Sequence, residues 1–228
     1  MRKLFIVILF SFIGLCCAGL LFNATTTNTN INIEEAVKAY FQKIKGTSTP
    51  FLMDVAIEGK KVVKVAAVRQ LGDLKDKDSI DLLTAIMTYI VDPSLFNTKY
   101  ARKKNFIPEF DGDVRAEAAL ALGKINDANS LPKIGNTLIA DRNSKVKQYC
   151  LKAFSLMKNK DATPYIEKYI RYELQLDKMK IDNDVVREAA RALGDIGHKN
   201  AFFLLIEITQ TESLQYEPKR EALRALEK

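Results

Sequence analysis

The chain has 228 residues, 47% of them hydrophobic and 28% charged, with one histidine, three cysteines and no tryptophan. That balance belongs to a core-forming protein and excludes a disordered or collagen-like chain. The formal charge of +7 is too small to identify a nucleic-acid binder, so no nucleic-acid partner is expected.

The N-terminus departs from the average. Arg2 and Lys3 precede an uncharged, largely apolar run over 4–22 (LFIVILFSFIGLCCAGLLF), and the next charged residues are Glu34 and Glu35. A basic start before an apolar core reads as an export signal, and the run is about long enough to span a bilayer as a helix. The charge bias places everything after Phe22 outside the cytosol. Three fates remain open: cleavage after Ala18, retention as an anchor, and lipidation at Cys16 or Cys17. Each puts the body in the periplasm or at the outer face of the inner membrane. Outside the leader only Cys150 remains, so no disulfide is expected within the body.

Residues 23–59 read as a polar spacer (NATTTNTN) and an N-terminal capping region. Ile33, Val37, Tyr40, Phe41 and Ile44 follow a helical period, Gly46 to Pro50 breaks it, and Phe51 to Ile57 is apolar and ambiguous.

From residue 60 to 228 the chain repeats itself. Val114-Arg-Ala-Glu-Ala-Ala-Leu-Ala-Leu-Gly-Lys-Ile125 returns as Val185-Val-Arg-Glu-Ala-Ala-Arg-Ala-Leu-Gly-Asp-Ile196 and is foreshadowed over 63–74. Aligned on one apolar anchor, the units centre on Leu71, Leu122, Phe154, Leu193 and Leu226. The separations of 51, 32, 39 and 33 residues describe a short two-helix unit with two insertions. Each first helix sets apolar or small residues on one face (Val114, Ala118, Leu122 and Ile125, for example), with Cys150 at a small inward position. Gly72, Gly123 and Gly194 follow their anchors, and Ser155 takes that place once. Asp78, Asn129, Asp161 and Asn200 stand seven residues after each anchor and are expected to cap second helices over 80–90, 131–139, 165–174 and 202–208. Pro132 and Pro164 suit the first turn.

These residues resemble the HEAT repeat, in the short form also seen in phycobilisome-lyase-like proteins. The resemblance covers 60–228 as four full units and a final first helix. It implies an all-α fold, a right-handed α-α superhelix in which the second helices line the concave face.

Function is expected at interruptions and exposed faces. The first insertion (Asp92 to Gly112) joins Lys99, Arg102, Lys103 and Lys104 with Tyr100, Phe106 and Phe110, and the second (Gln175 to Asn183) adds Lys178 and Lys180. Both emerge on one edge, where a basic, aromatic loop suits an acidic protein, an anionic membrane or a wall polymer. On the second helices Tyr89, Tyr165, Lys168, Tyr169 and Tyr172 are candidate binding residues. Iron hydroxylases of this fold use repeated His–Glu pairs, and only His198 is present, read as a solvent-facing turn residue. HEAT-like DNA glycosylases use aromatic residues, often Trp, and export argues against the chromophore lyases. Asp73, Asp76 and Asp78 lack the glycine and distal glutamate of a calcium loop. The expectation is therefore no catalytic residue, no metal, no cofactor and no enzyme activity. A protein-binding scaffold of the cell envelope is expected, with a mainly structural or surface-binding role, or an accessory role to an envelope enzyme, as alternatives.

Overall fold

The computed structural model describes residues 49–88 and 110–228, all within the unit Val37–Lys228. In chain order the helices are α1 (Thr49–Glu58), α2 (Lys61–Asp73), α3 (Ile80–Thr88), α4 (Gly112–Ile125), α5 (Leu131–Ala140), α6 (Ser144–Met157), α7 (Thr163–Leu174), α8 (Asn183–Ile196), α9 (Ala201–Gln210) and α10 (Tyr216–Leu226). Among the described residues there is no strand, and no helix is long and apolar enough to cross a membrane. First helices α2, α4, α6, α8 and α10 pack in succession, with second helices α3, α5, α7 and α9 against them. The fold is an all-α, HEAT-like solenoid.

The apolar period explains the stacking. Leu71, Leu122 and Phe154 are fully buried and Leu193 is 1% exposed, while Ala67, Ala118, Cys150, Ala189 and Ala222 are buried beside them. Small residues set the helix spacing. A Cβ on Gly123 would lie 2.5 Å from Ala153 Cα, and one on Gly72 would lie 2.7 Å from Ala121 Cα. The glycine after one anchor therefore receives the alanine before the next.

Charged pairs repeat in the same register. Arg69, two residues before its anchor, donates to Glu117 Oε1 at 3.2 and 2.5 Å, and Glu117 stands five before the next anchor. Arg191 and Glu221 repeat that pair at 3.0 Å. Lys124 meets Asp73 at 2.7 Å, and Lys228 meets Asp195 at 2.6 Å. Burial disfavours the Glu221 charge, but Arg191 and then Arg224 outweigh it and hold its carboxyl below the ordinary value. Its stabilisation is present above about pH 4.5 and is lost as pH falls through the depressed folded value. Glu221→Gln is expected to lower the melting temperature at pH 7, with the gap to the wild type narrowing only below about pH 4.5. A gap of constant size down to pH 3 would contradict this.

The connections differ from the sequence expectation in one respect. Asp78, Asn129 and Asp161 are not the caps. A 3-10 turn precedes each of three second helices (Lys77–Ser79, Ala128–Ser130 and Lys160–Ala162), moving the capping position two residues upstream. Asp76 accepts from Asp78 N and Asn159 from Asp161 N, both at 2.9 Å, while Asp127 accepts from the Ser130 hydroxyl at 3.1 Å. Asn200 makes no side-chain cap hydrogen bond. The first helices carry caps of their own: Asp111, Asn143 and Asp182 accept from backbone N–H groups of α4, α6 and α8.

Four residues after each full unit's anchor the backbone turns left-handed, at Lys75, Asn126, Lys158 and Gly197. Lysine bears a steric cost there that glycine does not. Lys158→Gly is expected to stabilise the fold by about 1 kcal/mol, the gain tempered by glycine's extra unfolded-state freedom, read as a higher denaturant midpoint. An unchanged or lower midpoint would contradict this account of the turn.

Helix α1 resolves the ambiguous stretch near Phe51. Its Thr49-Pro50-x-Leu52 start matches Leu131-Pro132-x-Ile134 and Thr163-Pro164-x-Ile166, so it has the form of a second helix, packed on α2 with Leu52 and Ala56 fully buried.

Candidate functional site

The outward faces of α5, α7 and α9 form a candidate binding surface. Pro164 opens α7, and the helical period divides its residues. Ile166, Tyr169, Ile170 and Glu173 point inward, whereas Pro164, Lys168, Arg171 and Tyr172 are exposed. Lys168 and Tyr172, one turn apart, share that outer face, and Tyr172 is 59% exposed. Tyr165 is half-buried. Its ring lies over Gly135 of α5, where a Cβ would come within 2.2 Å of it, so part of this side chain is committed to packing.

Tyr169 is a correction. It is 1% exposed, its hydroxyl donates to Glu173 Oε1 at 2.8 Å, and it is unavailable to a partner. The inward position places it in a buried polar cluster. Asp182 N donates to Glu173 Oε2 at 3.1 Å, Lys147 Nζ lies 3.8 Å from Glu173 Oε1, and Lys147 stands 5.0 Å from the Tyr169 ring centre. Burial, then the Glu173 charge, pushes the Tyr169 hydroxyl well above the ordinary phenol range, so it remains a donor. The cluster ties α6 and α7 to the chain entering α8, at the base of the second insertion. On that insertion Lys178 is exposed, Met179 is 95% exposed, and Lys180 pairs with Asp177 at 2.9 Å.

Lys99, Tyr100, Arg102, Lys103 and Lys104, with Tyr89 and Phe106, lie outside the described residues. At the end of that insertion Phe110 is buried, Lys64 stands 5.0 Å from its ring centre, and its carbonyl accepts from Arg115. Phe110 therefore belongs to the core rather than to a binding loop. His198 is likewise corrected from solvent-facing: it is half-buried, with Nδ1 3.2 Å from the Thr163 hydroxyl. Cys150 is fully buried, and desolvation pushes its thiol far above the ordinary range, which removes the thiolate a nucleophile needs.

The neighbouring helices widen the face. Nine to ten residues after each anchor come Leu131-Pro132, Thr163-Pro164 and Phe202-Phe203; fourteen after come Asn136, Lys168 and Glu207. Pro132, Lys133 and Asn136 of α5 are exposed. On α9, Phe202 and Phe203 are 51% and 78% exposed, and their rings meet edge-on at 5.6 Å. Arg171 bridges the two later helices, 3.0 Å from Glu167 and 3.3 Å from Glu207. Lys133, Asn136, Phe202 and Phe203 fall outside the basic and aromatic runs that stand out in the sequence, although counting from each anchor reaches Asn136, Phe202 and Phe203.

The surface therefore belongs to a HEAT-like α-α solenoid. The profile of the PBS lyase HEAT-like repeat matches residues 63–88 and 114–139. A solved complex of CpcE and CpcF of phycocyanin lyase from Nostoc sp. shares the fold, with a TM-score of 0.58 and 18% identity over 80% of this chain. The match covers 65% of that neighbour, just under two thirds of its length. No curated protein sequence matches the chain. The neighbour corrects one expectation: a solenoid of this fold occurs in a phycocyanin lyase, so the expectation that this chain is not an enzyme is withdrawn.

Proposed function

We propose that the protein is a partner-holding solenoid of the cell envelope, displayed outside the cytosol by its N-terminal leader, and that it grips another protein on the α5–α7–α9 face. The observation that carries this is the exposure of Lys168 and Tyr172 on one face of α7 and of Phe202 and Phe203 on α9, the helix that Arg171 joins to α7 through Glu207. The solenoid geometry supports it, since such folds offer long surfaces of stacked helices. A second reading, as one subunit of a lyase-like assembly, is favoured by the neighbour's being a complex of two lyase components. Both readings need a protein partner.

Capture from an envelope extract tests the proposal. The wild-type chain is expected to retain a stoichiometric protein that Lys168→Ala/Tyr172→Ala loses, with the circular dichroism of the variant unchanged. Equal retention by both chains would overturn this site. The mass of the mature N-terminus tests the placement: cleavage, a retained leader or an added lipid each agree with export, and an intact leader on a chain in the soluble cytosolic fraction contradicts it.

A further inference from the structure

Granted the partner-holding role of the second-helix face, on which this proposal rests, the charges of that face describe what the partner presents to it. Helix α5 contains no carboxylate in LPKIGNTLIA. On α7 and α9 every carboxylate is already engaged: Glu167 and Glu207 both bind Arg171, and Glu173 is buried against Tyr169 and Asp182 N. Lys133 and Lys168, exposed on α5 and α7, make no ion pair among the described residues. The face thus carries three cations, Lys133, Lys168 and Arg171, against two partly exposed carboxylates, and Arg171 holds both of those, which leaves the two lysines unpaired. Tyr172 on α7 and Phe203 on α9 supply exposed aromatic surface.

We propose that this face recognises an acidic protein segment, whose carboxylates meet Lys133 and Lys168 and whose apolar side chains lie against Tyr172 and Phe203. Two lysines are few for a phosphate polymer or a charged bilayer, both of which draw on many cations at once. They suit a short stretch of peptide in which one or two carboxylates fix the register and apolar contacts supply the affinity.

The test is fluorescence anisotropy with the full-length protein and a labelled peptide alternating Glu with Leu and Phe. Binding is expected to weaken about tenfold or more in Lys133→Glu/Lys168→Glu, and also in the wild type as salt is raised past about 0.15 M, where the screening length falls to roughly 8 Å. A folded double variant that binds the peptide undiminished would overturn the proposal. So would equal binding of the peptide with Lys in place of Glu, or no binding of the acidic peptide at all. Phosphatidylglycerol vesicles are the third arm. Binding to them that the double variant loses, with the peptide unbound, would identify an anionic surface instead. A partner captured from extract whose retention the double charge reversal leaves intact would sink the acidic segment while leaving the partner-holding role in place.

Discussion

Gly123→Val lowers the melting temperature by about 6–12 °C on this account, corresponding to a loss of about 3 kcal/mol or more. The reason is the spacing of α4 and α6. Even a Cβ at this position would stand 2.5 Å from Ala153 Cα and 3.0 Å from Ala153 O, and backbone cannot move aside as a flexible side chain can. The helices must separate, which opens the packing around Leu122 and Phe154, both fully buried. Position matters as well as size. In a solenoid each unit is held mainly by its neighbours, so a wedge at this central interface uncouples the two halves. Gly197→Ala is the matched control. Nothing lies within 4 Å of a Cβ there, and the cost comes only from its φ of +64°, about 1 kcal/mol. Thermal unfolding of both variants decides. Equal effects, or a Gly123 variant as stable as the wild type, would contradict the close packing.

Glu173→Leu is the second large effect, a loss of about 3–5 kcal/mol. This carboxylate accepts from the Tyr169 hydroxyl and from Asp182 N and stands near Lys147 Nζ, with Glu173 itself 3% exposed. An apolar replacement leaves a buried hydroxyl and a backbone N–H without their acceptor, and a largely covered ammonium without its counter-charge. The damage is expected to spread to the segment between α7 and α8, because Asp182 both donates to Glu173 and caps α8 through Val185 N. Hydrogen exchange would show the α8 N-terminus opening first. Glu173→Gln keeps an acceptor and should cost less than Leu. A leucine variant with wild-type stability and unchanged exchange at α8 would contradict the role assigned to this cluster.

Most of the fold was legible in the sequence, for a physical reason. Each unit buries the same face against its neighbours, so the pattern around Leu71, Leu122, Phe154 and Leu193 is written four times. The caps are displaced by two residues because Asp78, Asn129 and Asp161 look like helix starts in isolation, whereas each lies inside a 3-10 turn whose capping position is Asp76, Asp127 or Asn159. Helix α1 passed as ambiguous although Pro50 repeats the placing of Pro132 and Pro164. The candidate face was only half legible. Tyr165, Lys168, Tyr169 and Tyr172 are alike as residue types, and just the helical phase of α7 separates the exposed Lys168 and Tyr172 from the buried Tyr169. Phe202 and Phe203, placed by the repeat only on a second helix, are both exposed.

The most direct test of the partner-holding face is a photo-crosslinking amino acid placed at Tyr172 in the living cell, with Leu156 on first helix α6, similarly exposed at 50%, as the comparison. One discrete crosslinked protein from position 172, and none from 156, is the predicted result. Crosslinks from 156 alone, or none from 172 with the folded protein present at its normal level, would contradict it.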